Sequence, residues 1–136
     1  MPQSYGGKMD AQKNILLKNI ADKLRILSLE MTTGSGSGHP TTCLSIAEIM
    51  SVLFFDEMRL DVDDFILSKG HAAPILWAAY AETGIKKEEE LKNFRKFGSP
   101  LEGHPTARMP WIKAATGSLG QGLSVGIGLA LSAKIE

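Results

Sequence analysis

The chain has 136 residues, 43% hydrophobic, 22% charged and 7% aromatic, and its fifteen basic side chains balance fifteen acidic ones. This composition of one ordinary globular unit excludes a string of domains, wholesale disorder and the basic stripe of a nucleic-acid binder. The single Cys43 excludes an internal disulfide framework. With no run of about eighteen apolar residues and no apolar leader, the expectation is a cytoplasmic protein that does not span a membrane.

In chain order, the first pattern runs from Met9 to Thr33, where Leu16, Ile20, Leu24, Leu27 and Met31 recur at helical spacing and Lys18, Asp22 and Arg25 lie opposite. Residues 1–9 precede it and are expected to be flexible. The glycines of GSGSGHP, residues 34–40, stop this helix, and Pro40 opens the next. That second helix begins near Thr41. Ser45 and Glu48 have capping-box spacing, and Ile46, Ile49, Met50, Leu53 and Phe54 supply the apolar stripe.

After the acidic turn DVDD, Phe65 to Leu67 reads as a short buried strand leading to Ser68-Lys69-Gly70-His71. A helix follows, with Pro74 in its first turn and Gly84 as its C-cap. Residues 86–96 read as a charged surface helix carrying Leu91 and Phe94. A loop runs from Pro100 to Pro110, a short extended piece covers Lys113 to Thr116, and the last helix starts near Ser118 to Gly120. Leu123, Val125, Ile127, Leu129 and Leu131 point to different sides of that helix, so its pattern is that of a helix buried all round. One or two strands for five helices, and a final helix without a stop signal, read as the front of a longer α/β unit.

Each of the three histidines follows a glycine: Gly38-His39, Gly70-His71 and Gly103-His104. Glycine removes bulk where the ring leaves the backbone, which suits loops that bring imidazoles to a ligand. One such loop histidine is ordinarily just hydrogen-bonded locally. Three together fit proton transfer on a polar, hydroxylated substrate. A zinc site lacks HExxH and CxxC support. The segment Thr116-Gly117-Ser118-Leu119-Gly120-Gln121-Gly122 ahead of a helix is a reasonable seat for a diphosphate, although its spacing is neither the dinucleotide fingerprint nor a P-loop. Close helix packing through Gly122, Gly126 and Gly128 is the competing use of those glycines.

Four ordered blocks, GSGHPTTCLSIAEIMSVLFF, FILSKGHAAPILWAAYAETG, LEGHP and TGSLGQGLSVGIGLALSAK, carry a resemblance. The sequence resembles the start of the transketolases, thiamine-diphosphate enzymes of the pentose phosphate pathway. The resemblance implies an incomplete N-terminal part of a thiamine-diphosphate-binding α/β fold over residues 1–136. It implies reversible transfer of a two-carbon ketol group from a ketose phosphate to an aldose phosphate. Catalytic roles fall to His39, His71 and His104, and cofactor contacts to His71, Gly117, Ser118 and Leu119.

The same resemblance implies Mg²⁺ or Ca²⁺ beside the diphosphate, held by a Gly-Asp-Gly-Glu segment and an asparagine that this sequence lacks, so no metal ligand is assigned here. It implies sugar phosphate substrates, and a homodimer of the full enzyme or a complementary C-terminal transketolase chain as partner. The chain alone is expected to be inactive. A non-catalytic packing module is the alternative. The loop before Phe65 is shorter than is usual in transketolases, a change expected to be tolerated on a solvent side.

Overall fold

The computed structural model describes residues 11–135. The expected flexibility of residues 1–9, and the start of the first helix at Met9, lie outside that range. The first helix, α1, spans Ala11–Ser35. Its buried face is Leu17, Ala21, Leu24, Leu27 and Met31, so Leu24, Leu27 and Met31 face inward as the pattern requires. Leu16 does not, being 58% exposed. Two overlapping 3.6-residue registers run along this helix, and the one chosen puts small Ala21 and Ser28 against the core, where neighbouring helices approach closely. Burying Ser28 and Thr32 is tolerated because each hydroxyl donates to a carbonyl one turn back, at 2.7 Å to Leu24 and 2.9 Å to Ser28. Gly36 and Gly38, at φ +61° and +134°, then end the helix.

Pro40–Leu44 forms α2 and Ala47–Val52 forms α3, continued by a π-helical turn over Leu53–Glu57. The expected capping box does not form. Ser45 instead ends α2 and donates its hydroxyl back to the Thr42 carbonyl at 2.9 Å, while Glu48 pairs with Arg25 at 2.5 Å. Ile46 takes the N-cap position of α3, so the break between two short helices consumes the residues that would have capped one long one. A buried bond from Ser51 Oγ to the Leu17 carbonyl, 2.7 Å, stitches α3 to α1.

At the centre lies α4, Ala73–Glu82, with every residue from Ala73 to Tyr80 buried. Pro74 sits in its first turn, where a missing N–H costs nothing. Thr83 is the C-cap, one position before the expected Gly84, which follows at φ +80°. Against α4 pack α1, α2 and α3. Trp77 fixes the following loop as well, since its indole N–H donates to the Glu102 carbonyl at 2.9 Å. Of the surface helix expected over 86–96, Glu88–Asn93 is present, as a 3₁₀ turn with Leu91 buried and Phe94 buried just after it.

The expected strand at Phe65 to Leu67 and the extended piece at Lys113 to Thr116 are corrected by the structure: no strand occurs among the described residues. A strand is defined by a neighbour that completes its ladder, and no such neighbour is supplied here. The two segments meet instead through one side chain, Thr116 Oγ1 donating to the Leu67 carbonyl at 2.7 Å.

The last helix, α5, spans Gln121–Ile135. It docks by its first turn, where Gly122 lies so close to Ser68 that an added Cβ would stand 2.5 Å from Ser68 Cα. Beyond Gly122 it is largely uncovered, with Leu123 68%, Ile127 54% and Leu131 55% exposed. A helix of this composition is ordinarily enclosed, and so large an apolar surface drives association. We therefore expect the purified chain to self-associate. Sedimentation at several concentrations checks this, and a monodisperse monomer throughout would refute it.

Candidate functional site

Three segments, each with a glycine before its histidine, bring the histidines together. His39 occupies the N-cap position of α2 and is exposed, His71 lies in the 3₁₀ turn Gly70–Ala72 just ahead of α4, and His104 lies in the loop anchored by Trp77. Their rings form a chain of edge contacts. His39 and His71 are 5.0 Å apart between centroids at 66°, and His71 and His104 are 4.7 Å apart at 80°. The histidines are far apart in sequence, so this meeting is a product of the fold.

Of the predicted cofactor residues, Gly117 joins the group. A Cβ on it would stand 3.2 Å from His104 Cδ2, so glycine here lets the backbone lie along the imidazole. Ser118 and Leu119 follow, both exposed, Leu119 at 66%. They lead through Gly120, at φ +88°, into the first turn of α5 at Gln121. The amides at that helix start favour an anion. His71 Nδ1 is buried and has no hydrogen-bond partner among the described residues, so it can pair with a water or a ligand.

Two further residues belong to this place. Arg95 has φ +59°, its backbone N–H donates to the Leu101 carbonyl at 2.9 Å and its guanidinium donates to Ser37 Oγ at 2.8 Å. That guanidinium lies over Gly103, where any side chain would overlap it. Reading 86–96 as a surface helix hid this role, because a left-handed arginine leaves no periodic trace in sequence. Thr116 is the other, buried at the crossing of the His71 and His104 loops. It stood at the head of the glycine block in the sequence, with no signal to separate its part from that of the glycines.

Burial first, and then the charges of His71, Arg95 and His39, hold the His104 imidazole below its usual value of 6.5. Below its unfolded-state value, the unfolded chain binds the proton that folded His104 resists. The stability His104 contributes by staying neutral is therefore fully present above about pH 6.5 and is lost as pH falls through its lowered folded value. The expected result is that a His104→Gln chain loses less stability between pH 7 and pH 5 than the parent. Denaturant midpoints across that range check it, and identical acid losses would exclude this linkage.

Among the described residues no group of three or more His, Cys, Asp or Glu is arranged to hold a metal ion, and no helix is long and apolar enough to cross a membrane. The three imidazoles themselves face one another edge to ring, which does not converge their nitrogens on one ion.

Comparison with known proteins bears on the whole of this arrangement. A family model described as "Transketolase, thiamine diphosphate binding domain" matches residues 16–136. Transketolase from Pongo abelii is 53% identical over 135 residues, covering 93% of this chain and 22% of that protein. Transketolase from Homo sapiens is 52% identical with the same coverage, and transketolase from Rhodobacter capsulatus is 32% identical over 126 residues, covering 85% of this chain and 19% of that protein. The solved structure of transketolase from Leishmania mexicana superimposes with a TM-score of 0.79 at 32% identity, covering 84% of this chain and 18% of that one. This chain thus spans about a fifth of the length of these relatives. A family-model match over residues 16–136 and a fold shared with a solved transketolase place the chain in the transketolase family, within the thiamine diphosphate binding domain.

Proposed function

We propose that this chain supplies the histidine and glycine part of a transketolase active site. The assembled site would move a two-carbon ketol group reversibly from a ketose phosphate to an aldose phosphate. The observation that carries this reading is the convergence of His39, His71 and His104 with Gly117 at one place, from four separate segments. Thiamine diphosphate, when bound, supplies the electron sink that cleavage beside a carbonyl requires.

The residues present suit such a group. The backbone of Gly117, Ser118 and Leu119 at the head of α5 offers amides without side-chain obstruction at the glycine, and these would hold the diphosphate. Its charge needs a counter-ion, for which Mg²⁺ or Ca²⁺ is the reading, with ligands drawn from outside the described residues. His71, with its orphaned Nδ1 beside this block, would face both cofactor and the reacting end of the sugar. His104, kept neutral by its surroundings, accepts a proton from a substrate hydroxyl near neutral pH and returns it. His39, at the open end of the row, orients sugar hydroxyls. Arg95 adds a fixed positive charge on the His104 side, suited to an anionic sugar phosphate.

Partners follow from what is uncovered. The apolar sides of α5 call for a second polypeptide surface, which we assign to a homodimer of the complete enzyme or to a complementary transketolase chain. A cytoplasmic setting suits the free, buried thiol of Cys43. Two-carbon transfer by this chain supplied with the remaining transketolase segments tests the reading. A stable assembly that binds thiamine diphosphate and transfers nothing would overturn it in favour of a non-catalytic packing module.

A further inference from the structure

We propose that Thr116 is the positioning residue that sets His71 and His104 against each other, its hydroxyl and amide bonded to the two histidine loops and its carbonyl packed against Gly70. Each of these groups meets a segment that carries one of the histidines. The hydroxyl donates to the Leu67 carbonyl at 2.7 Å, at the head of the segment that carries His71. The amide donates to the carbonyl of Pro105, the residue after His104, at 3.2 Å. The carbonyl faces Gly70, the residue before His71, so closely that a Cβ there would stand 2.7 Å from both Thr116 O and Thr116 Oγ1. The next residue, Gly117, lies along the His104 ring.

Thr116 is itself only 7% exposed, and no water is needed to explain its bonds. Its β-branched side chain is stiff at χ1, so the hydroxyl bond fixes the backbone at Thr116 as well as its own rotamer. Movement of that backbone displaces Gly70 and the amide bond to Pro105 together. One donor therefore controls the separation of two imidazoles without touching either. Its effect passes through the two loops and is distinct from any contact with substrate.

The proposal rests on reading His71 and His104 as parts of one site, but its test needs neither cofactor nor turnover. A failure of two-carbon transfer would count against the functional reading and leave the histidine measurement standing. The full 136-residue chain is labelled at histidine Cε1, which gives three signals because the sequence has three histidines, assigned by single His→Gln changes. Thr116→Val keeps the shape and removes the donor. Thr116→Ser keeps the donor. Gly70→Ala attacks the same contact from the other side.

The expected result is that Thr116→Val keeps the near-ultraviolet circular dichroism of the buried Trp77 and Tyr80 while the His71 and His104 signals both move. The His104 midpoint should rise as the loops part and water enters, because burial is the main cause that holds it low. Thr116→Ser should restore wild-type signals, and Gly70→Ala should reproduce the displacement. Wild-type signals and midpoints in a folded Thr116→Val chain would overturn the proposal. Loss of fold in Thr116→Val, whether Gly70→Ala keeps wild-type histidine signals or unfolds too, would make Thr116 a core residue only and would overturn it equally.

Discussion

Purified and freed of host enzyme, the 136-residue chain should show no two-carbon transfer from a ketose phosphate to an aldose phosphate, even with thiamine diphosphate and Mg²⁺ added. Imidazoles that pass protons contribute roughly 10²- to 10⁴-fold. Enzymes as a class accelerate reactions by at least about 10⁶-fold, and here the greater part must come from a correctly held cofactor. The described residues offer that cofactor glycine amides, a helix start and imidazoles, with no cluster fit for the cation that would neutralise a diphosphate. The chain also corresponds to 22% of the length of the Pongo abelii and Homo sapiens transketolases. Activity should appear on adding a chain that carries the remaining transketolase segments. Turnover by the purified chain alone would show that this unit needs no complement.

In that complemented assembly, alanine at His71 or His104 should lower the rate roughly 10²-fold or more and change stability by less than about 1 kcal/mol. The asymmetry follows from where the rings sit. Both are partly exposed and their rings meet edge to face, whereas the core includes Trp77, Leu24, Met50, Ile75 and Leu76. Removing a ring thus opens little apolar contact but deletes a group we propose as a proton carrier. The check pairs initial rates with thermal melts on the same preparations. A variant that melts far below the parent, with unchanged specific activity in its folded fraction, would assign these histidines to structure.

Apolar surface links the fold to these expectations. Exposed Ile15, Ile26 and Leu29 share the outer face of α1, opposite the buried stripe, and α5 is uncovered beyond its first turn. An ordinary monomer keeps such residues scattered. Faces of this kind on two separate helices favour burial against further polypeptide, and the same event would complete the cofactor site we propose at the head of α5.

The sequence by itself determined the elements whose cause is local. Glycines at the end of α1, Pro74 in the first turn of α4, Gly84 after its end and the 3.6-residue spacing of Leu24, Leu27 and Met31 each act within one or two turns. It also marked His39, His71 and His104 as one chemical set, because the glycine before each is visible in the chain, whereas Gly117 stands in a separate glycine block and joins them only through the family resemblance. Only the tertiary structure decided matters that depend on a distant partner. Which side of α1 faces inward was set by its packing on α3 and α4, so Leu16 lost its place to Leu17, whose carbonyl accepts from the Ser51 hydroxyl. Phe65 to Leu67 forms no strand, because a ladder needs a second chain segment and the Leu67 carbonyl is met by the Thr116 hydroxyl instead. Arg95 over Gly103, and Thr116 between two histidine loops, have no local signature. Their positions follow from long-range contacts between segments whose separate sequences carry no record of the meeting.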